Sequence, residues 1–207
     1  CSYAPTDTVC ASGTCSGGAC TSVATSCATS GAGLTDCGSG SDQNCCTSLL
    51  VSGGTFYRSY DGVSSGYGSQ AYPATVSDFR LDKYEVTVGR FRKFKAAWDG
   101  GWRPAAGAGK HTHLNAGQGL TAPGGASYEA GWDTSWASNV APTDTNLSCS
   151  STYQTWTTTA GANERRPMNC ASWYEQYAFC IWDGGFLPSE AEWNYAAAGG
   201  SEQRAYP

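Results

Sequence analysis

Short strands giving way to short, sharply capped helices, joined by long loops, make up the mixed fold that the sequence predicts. Three observations carry this. Glycine occurs 27 times in 207 residues, among many Ser, Thr and Ala, and that composition predicts loops and little regular structure. Strand-like patterning is confined to residues 49–81. Helical signals, each opened by a capping residue and closed by a glycine pair, follow at residues 87–101 and 172–200. The apolar fraction of 40% is enough for the core of one ordinary domain plus an appendage.

The appendage comes first. Eight of the eleven cysteines, Cys1, Cys10, Cys15, Cys20, Cys27, Cys37, Cys45 and Cys46, lie in residues 1–48. This stretch has no apolar periodicity, so bridges must order it, and an oxidising compartment follows. Zinc would favour paired C-x2-C knuckles with nearby histidine, whereas these spacings are mostly longer and the only histidines are His111 and His113. Cys10, Cys15 and Cys20 are evenly spaced by turn residues, as in a small knotted module. Cys1 is open to two readings, an acylated lipoprotein cysteine or an arbitrary first residue.

Residues 49–207 read as the domain proper. Leu49-Leu50-Val51 and Thr55-Phe56-Tyr57 flank Gly53-Gly54 as strand, turn, strand. Thr75 to Leu81 alternates polar and apolar residues with period two, as a half-buried strand does. Thr87 caps a helix with Val88, Phe91, Phe94 and Trp98 on one face, ended by Gly100-Gly101. Residues 99–165 show no period and read as a loop-rich insertion. Ser172-Trp-Tyr-Glu175 and Ser189-Glu-Ala-Glu192 are capping boxes opening two further helices, the second preceded by Pro188.

Charge and motifs exclude several functions. A net charge of −5 argues against a nucleic-acid partner held by phosphate neutralisation, and no apolar run is long enough to span a membrane. Arg90, Arg92, Lys93 and Lys95 read as a solvated helix face. His111 and His113 would share one strand face, but two ligands without a third make a weak metal site, and a polar loop pair is preferred. Gly62-Val-Ser-Ser-Gly66 lacks the strand-to-helix elbow of a nucleophile motif. Gly107-Ala-Gly109-Lys110 lacks the flanking residues of a phosphate loop. Capping and the helix dipole account for Glu190 and Glu192. Most of the eight tryptophans read as core pins. Trp132, Trp136 and Trp156 are the candidates for a groove that takes peptide or glycan.

Residues 167–207, from Pro-Met-Asn-Cys-Ala-Ser-Trp173 through Gly-Gly-Phe-Leu-Pro-Ser-Glu-Ala-Glu-Trp193 to Gly-Gly200 and beyond, resemble the central block of the formylglycine-generating-enzyme (sulfatase-modifying-factor) family. Phe186, Asn194 and Ala198 depart from the family's basic residue, second Glu and Arg. Val51 to Phe56 is similar to the family's opening strand, and Phe79-Arg-Leu-Asp-Lys-Tyr-Glu-Val-Thr87 to its next block. The resemblance implies an α+β, C-type-lectin-like fold with low regular secondary structure, truncated at its C-terminal part. The family's oxidases convert a sulfatase cysteine to formylglycine with oxygen and copper(I) held by two thiolates. That copper pair and structural calcium are expected in the missing C-terminal part, with no cofactor in this chain.

The resemblance also bears on the last three cysteines. It implies that Cys180 pairs with a cysteine near the domain's C-terminus, so Cys180 is expected to be reduced or joined to another chain. Cys149 and Cys170 have no family assignment and flank a loop of about twenty residues, so a bridge between them is expected, worth about 3 kcal/mol. The functional expectation is a secreted or cell-surface, bacterial-type protein whose domain is a non-catalytic structural or ligand-binding module, with no catalytic residue here. The alternative is part of an active copper-dependent oxidase. Expected partners are the remainder of the domain, a peptide or glycan, and further copies of the chain.

Overall fold

The computed structural model of the chain describes residues 1–5, 24–122 and 124–205. The module of Cys10, Cys15 and Cys20 lies outside the described residues. The elements run β1 (Ser2–Tyr3), β2 (Ser48–Val51), β3 (Gly54–Tyr57), β4 (Pro73–Val76), β5 (Phe79–Asp82), α1 (Val88–Asp99), α2 (Asp144–Leu147), α3 (Trp173–Trp182) and α4 (Glu190–Ala197). Short 3-10 turns, among them Thr25–Cys27 and Thr134–Asn139, complete the mixed helix-and-sheet architecture.

The strands form, but not with the pairing that the turn signals suggest. β2 and β3 are not partners across Gly53. Instead β5 lies between β1 and β2 in an antiparallel sheet, with Leu49 opposite Leu81, and β3 pairs with β4, with Thr55 opposite Thr75. The period-two run 75–81 is therefore two strands, broken at Ser77-Asp78. Both crossings between sheets meet at one point, where Gly53 N–H donates to Asp78 Oδ1 at 2.7 Å. A Cβ on Gly53 would lie 2.3 Å from the Val76 carbonyl oxygen, so the backbone itself fills that space.

Helix α1 follows its spacing. Thr87 Oγ1 accepts from Arg90 N–H, and Val88, Phe91, Phe94 and Trp98 are all buried. Phe91 stacks on Phe179 of α3 at 5.7 Å between ring centres, and Phe94 meets Phe179 and Trp182 edge-on or tilted. Both later helices carry complete capping boxes, Ser172 with Glu175 and Ser189 with Glu192. A second core of Phe56, Val76, Phe79 and Tyr195 packs the β3–β4 hairpin against α4.

Arg90 and Arg92 depart from the solvated-face expectation. Arg90 is fully buried, donating to Asp82 Oδ2 (3.0 Å), Asp183 Oδ2 (2.6 Å), Ser26 Oγ (3.0 Å) and the Cys45 carbonyl (3.1 Å). Two carboxylates and neutral acceptors compensate its desolvation, which is the condition for burying a charge. Arg92 pairs with Glu164 at 2.8 Å and lies over the Trp156 ring at 4.2 Å. Lys93 is exposed, and Lys95 pairs with Asp99 four residues on.

Disulfides join Cys27 to Cys46, Cys37 to Cys45, Cys149 to Cys170 and Cys1 to Cys180. The last corrects the expectation that Cys180 is reduced or bonded to another chain. β1 pairs with β5, and Ser2 exchanges two backbone hydrogen bonds with Phe186, both at 2.9 Å. This brings the Cys1 and Cys180 Cα atoms within 5.3 Å of each other. It also leaves the Cys1 sulfur no thiol to acylate, so the lipoprotein reading of Cys1 does not hold here. Among the described residues no helix is long and apolar enough to cross a membrane.

Candidate functional site

A cleft of about 620 Å³ opens between α3, α4 and the segment 109–136. Helix α3 contributes Trp173, Gln176 and Tyr177, which share a face because they stand at i, i+3 and i+4. α4 contributes Glu190 and Trp193 at i and i+3, and the 3-10 turn Thr134–Asn139 contributes Trp136. Trp136 meets Trp173 edge-on at 5.8 Å, and Trp173 lies 5.3 Å from Tyr177. The indoles of Trp173 and Trp193 stay 53% and 59% exposed, unusual for side chains of that size.

Of the three candidate groove tryptophans, only Trp136 lines this cleft. Trp132 and Trp156 are core residues, 2% and 1% exposed. Trp132 backs Trp136 and Tyr177 at 5.6 Å from each. Trp156 is covered on one face by Arg92 and donates Nε1–H to Asp144 at 3.0 Å. An indole offers enough apolar surface to pin a loop-rich insertion, and these two were drawn inward for that reason. Trp173 and Trp193 carry no outward signal of their own, because their helical spacing also fits a core face.

The floor of the cleft is built on His111. Its Nδ1 lies 3.0 Å from both Glu129 oxygens, its Nε2 lies 3.0 Å from Glu192 Oε2, and its backbone N–H donates to Glu129 at 2.6 Å. A neutral imidazole carries one N–H and could satisfy only one carboxylate, whereas the imidazolium satisfies both. Burial works against that charge, but the bonds to Glu129 and Glu192 and their charges outweigh it, raising the His111 pKa to about 9. Burial pushes the two carboxyl groups up, yet bonding to His111 holds both below their ordinary values. Glu192 Oε2 also accepts from Ser189 N–H at 2.7 Å, so one carboxylate caps α4 and clamps the imidazole.

With both ring nitrogens donating, His111 has no lone pair for a metal and is no general base near neutral pH. His113 stacks on Phe186 at 5.5 Å, and Phe186 lies 4.2 Å from His111. Burial, then the charge on His111, lowers the His113 pKa. Among the described residues no group of His, Cys, Asp and Glu is arranged to hold a metal ion. Tyr177 donates to the Gly109 carbonyl at 3.1 Å, and burial, helped by Glu129, pushes its pKa up to about 12. Gly109, at φ +75°, leaves room for this contact, since a Cβ there would lie 2.6 Å from the Tyr177 ring. Gly62 to Gly66 sits in an exposed loop far from this constellation in sequence and outside the cleft lining.

The family model of the sulfatase-modifying factor enzyme 1-like domain matches residues 35–207, from within the cysteine-rich leader to the last residue. The chain belongs to this family. Similar curated proteins include the formylglycine-generating enzyme of Mus musculus, 44% identical over 41 residues, which are 20% of this chain and 11% of that protein. The corresponding enzyme of Thermomonospora curvata is 46% identical over 41 residues, 20% of this chain and 14% of its own length. The inactive C-alpha-formylglycine-generating enzyme 2 of Bos taurus is 44% identical over 41 residues, again 20% and 14%. The match thus spans about a seventh or less of these family members, and active and inactive relatives are alike at the same level. No solved structure matches.

Proposed function

We propose that this sulfatase-modifying-factor-family domain, in a C-type-lectin-like arrangement on a secreted or cell-surface protein, serves as a ligand-binding module. The cleft between α3 and α4 is its binding face. The observation that carries this reading is the pairing of two half-exposed indoles with a rigid, hydrogen-bonded floor. Large apolar side chains kept open to solvent around a concave site are what ligand pockets use. The His111 triad supplies rigidity rather than proton transfer.

The second reading, part of a copper-dependent oxidase that makes formylglycine from a sulfatase cysteine, is favoured by the family and by the names of the active relatives. Copper(I) requires thiolates. Each of the eight described cysteines is in a disulfide, so these residues do not fit that ion. In this reading copper and calcium would belong to a C-terminal part of the domain.

Glycan and peptide arrays probed with the chain and its Trp173→Ala/Trp193→Ala variant test the module. We expect ligands for the parent that the folded variant loses at least tenfold. Ligands retained equally by both would overturn the assignment. A parallel incubation with copper(I), oxygen and a Cys-x-Pro-x-Arg peptide is expected to yield no aldehyde, and aldehyde would favour the oxidase.

A further inference from the structure

We propose that the cleft between α3 and α4 takes a small organic cation of the alkylammonium class, an inference that rests on reading the cleft as the binding face. Three features of the site converge on that chemistry. Trp136, Trp173, Tyr177 and Trp193 line it with aromatic surface. Trp136 and Trp173 are inclined at 74° and Trp173 and Tyr177 at 48°, so their rings present surfaces in different directions rather than one flat wall. The face of each ring carries negative potential and attracts a cation placed over it.

The charges agree with the rings. Glu190 is exposed at the rim, and Glu129 stands in the lining. Among the described residues no lysine or arginine lines the cleft. His111 is the one cation present, and its two N–H groups are already spent on Glu129 and Glu192. Counting Glu129, Glu190 and Glu192 against His111 leaves two uncompensated negative charges at the site.

The kind of cation follows from what is missing as well. A bare metal ion needs several converging oxygen ligands, and the described residues offer no such group. An alkylammonium ion spreads its charge over methyl or methylene groups that can lie on indole without losing a tight hydration shell. A neutral sugar would use the rings but gain nothing from the carboxylates. An anion would be repelled by them.

The test uses choline and its neutral carbon isostere 3,3-dimethyl-1-butanol, titrated into the whole chain at low salt and followed by tryptophan fluorescence and NMR. We expect saturable choline binding at least tenfold tighter than the alcohol. Glu190→Gln should weaken choline severalfold and leave the alcohol unchanged, and Trp193→Ala should abolish choline binding with near-ultraviolet dichroism retained. Equal affinity for choline and the alcohol, an unaffected Glu190→Gln variant, or no saturable response to choline would each overturn the cationic assignment. The array comparison of parent and Trp173→Ala/Trp193→Ala separates the two ideas. Variant-sensitive neutral ligands there would leave the binding module standing without the cation.

Discussion

His111 is buried between two carboxylates, and its charge is a condition of the local structure. Its folded pKa of about 9 lies above the ordinary 6.5, so the stabilisation is fully present below pH 6.5 and is lost as pH rises through 9. The shift corresponds to at most about 3 kcal/mol. Glu129 and Glu192 have the opposite sign, since their depressed pKa values give stability above the carboxylate range that is lost on acidification. Urea unfolding between pH 6.5 and 9.5 should therefore show stability falling on the alkaline side, and His111→Gln should flatten that limb. NMR titration of the His111 ring should give a midpoint above 8, and a midpoint near 6.5 would show that the clamp is absent. None of this was legible in the sequence. Glu192 stands 81 residues from His111, and the capping box gave its carboxylate a sufficient local role.

At the scale of elements, local chemistry predicted α1, α3 and α4 well because caps and apolar spacing are written within a few residues of each other. Strand pairing was not written there. Gly53-Gly54 resembles a hairpin turn, but it is a crossing between sheets, decided by Asp78 and the close approach of Val76. Arg90 shows the same limit. On α1 it looked like one of four surface cations, yet it joins α1 to the 3-10 turn Thr25–Cys27, to β5 and to the C-terminal cap of α3. Its partners Asp82 and Asp183 are 8 and 93 residues away. Arg90→Met leaves the buried Asp183 carboxylate without a cation and Asp82 with only the Cys1 amino group, and should cost about 3–5 kcal/mol. Lys93→Met, on the exposed side of the same helix, should stay within about 0.5 kcal/mol. Equal thermal unfolding midpoints for the two variants would refute this placement.

For the whole molecule, the cysteines set the energetic hierarchy. The Cys1–Cys180 bridge spans 179 residues and the Cys149–Cys170 bridge 21. On the chain-entropy model the long closure is worth about 5 kcal/mol and the short one about 3 kcal/mol. Replacing each pair by serine should lower the thermal midpoint more for Cys1/Cys180 than for Cys149/Cys170, and the reverse order would contradict the entropic account. The family, the mixed fold and the richness in disulfides were visible from motifs and cysteine density. The pairing of Cys1 was hidden, because it depends on a two-residue strand whose neighbours lie nearly a whole chain length away.

That strand carries a consequence in time. Ser2 finds its partners on β5 and at Phe186, and Cys1 finds its sulfur at Cys180. On a ribosome adding about 5–20 residues per second, the first residues wait roughly ten to forty seconds for that partner to be synthesised. Through that interval the Cys1 thiol has no native mate, while Cys27, Cys37, Cys45 and Cys46 emerge early and close to one another. The Cys27–Cys46 and Cys37–Cys45 bridges can thus close first, Cys1–Cys180 closes last, and any earlier bond that Cys1 makes must be undone by thiol–disulfide exchange.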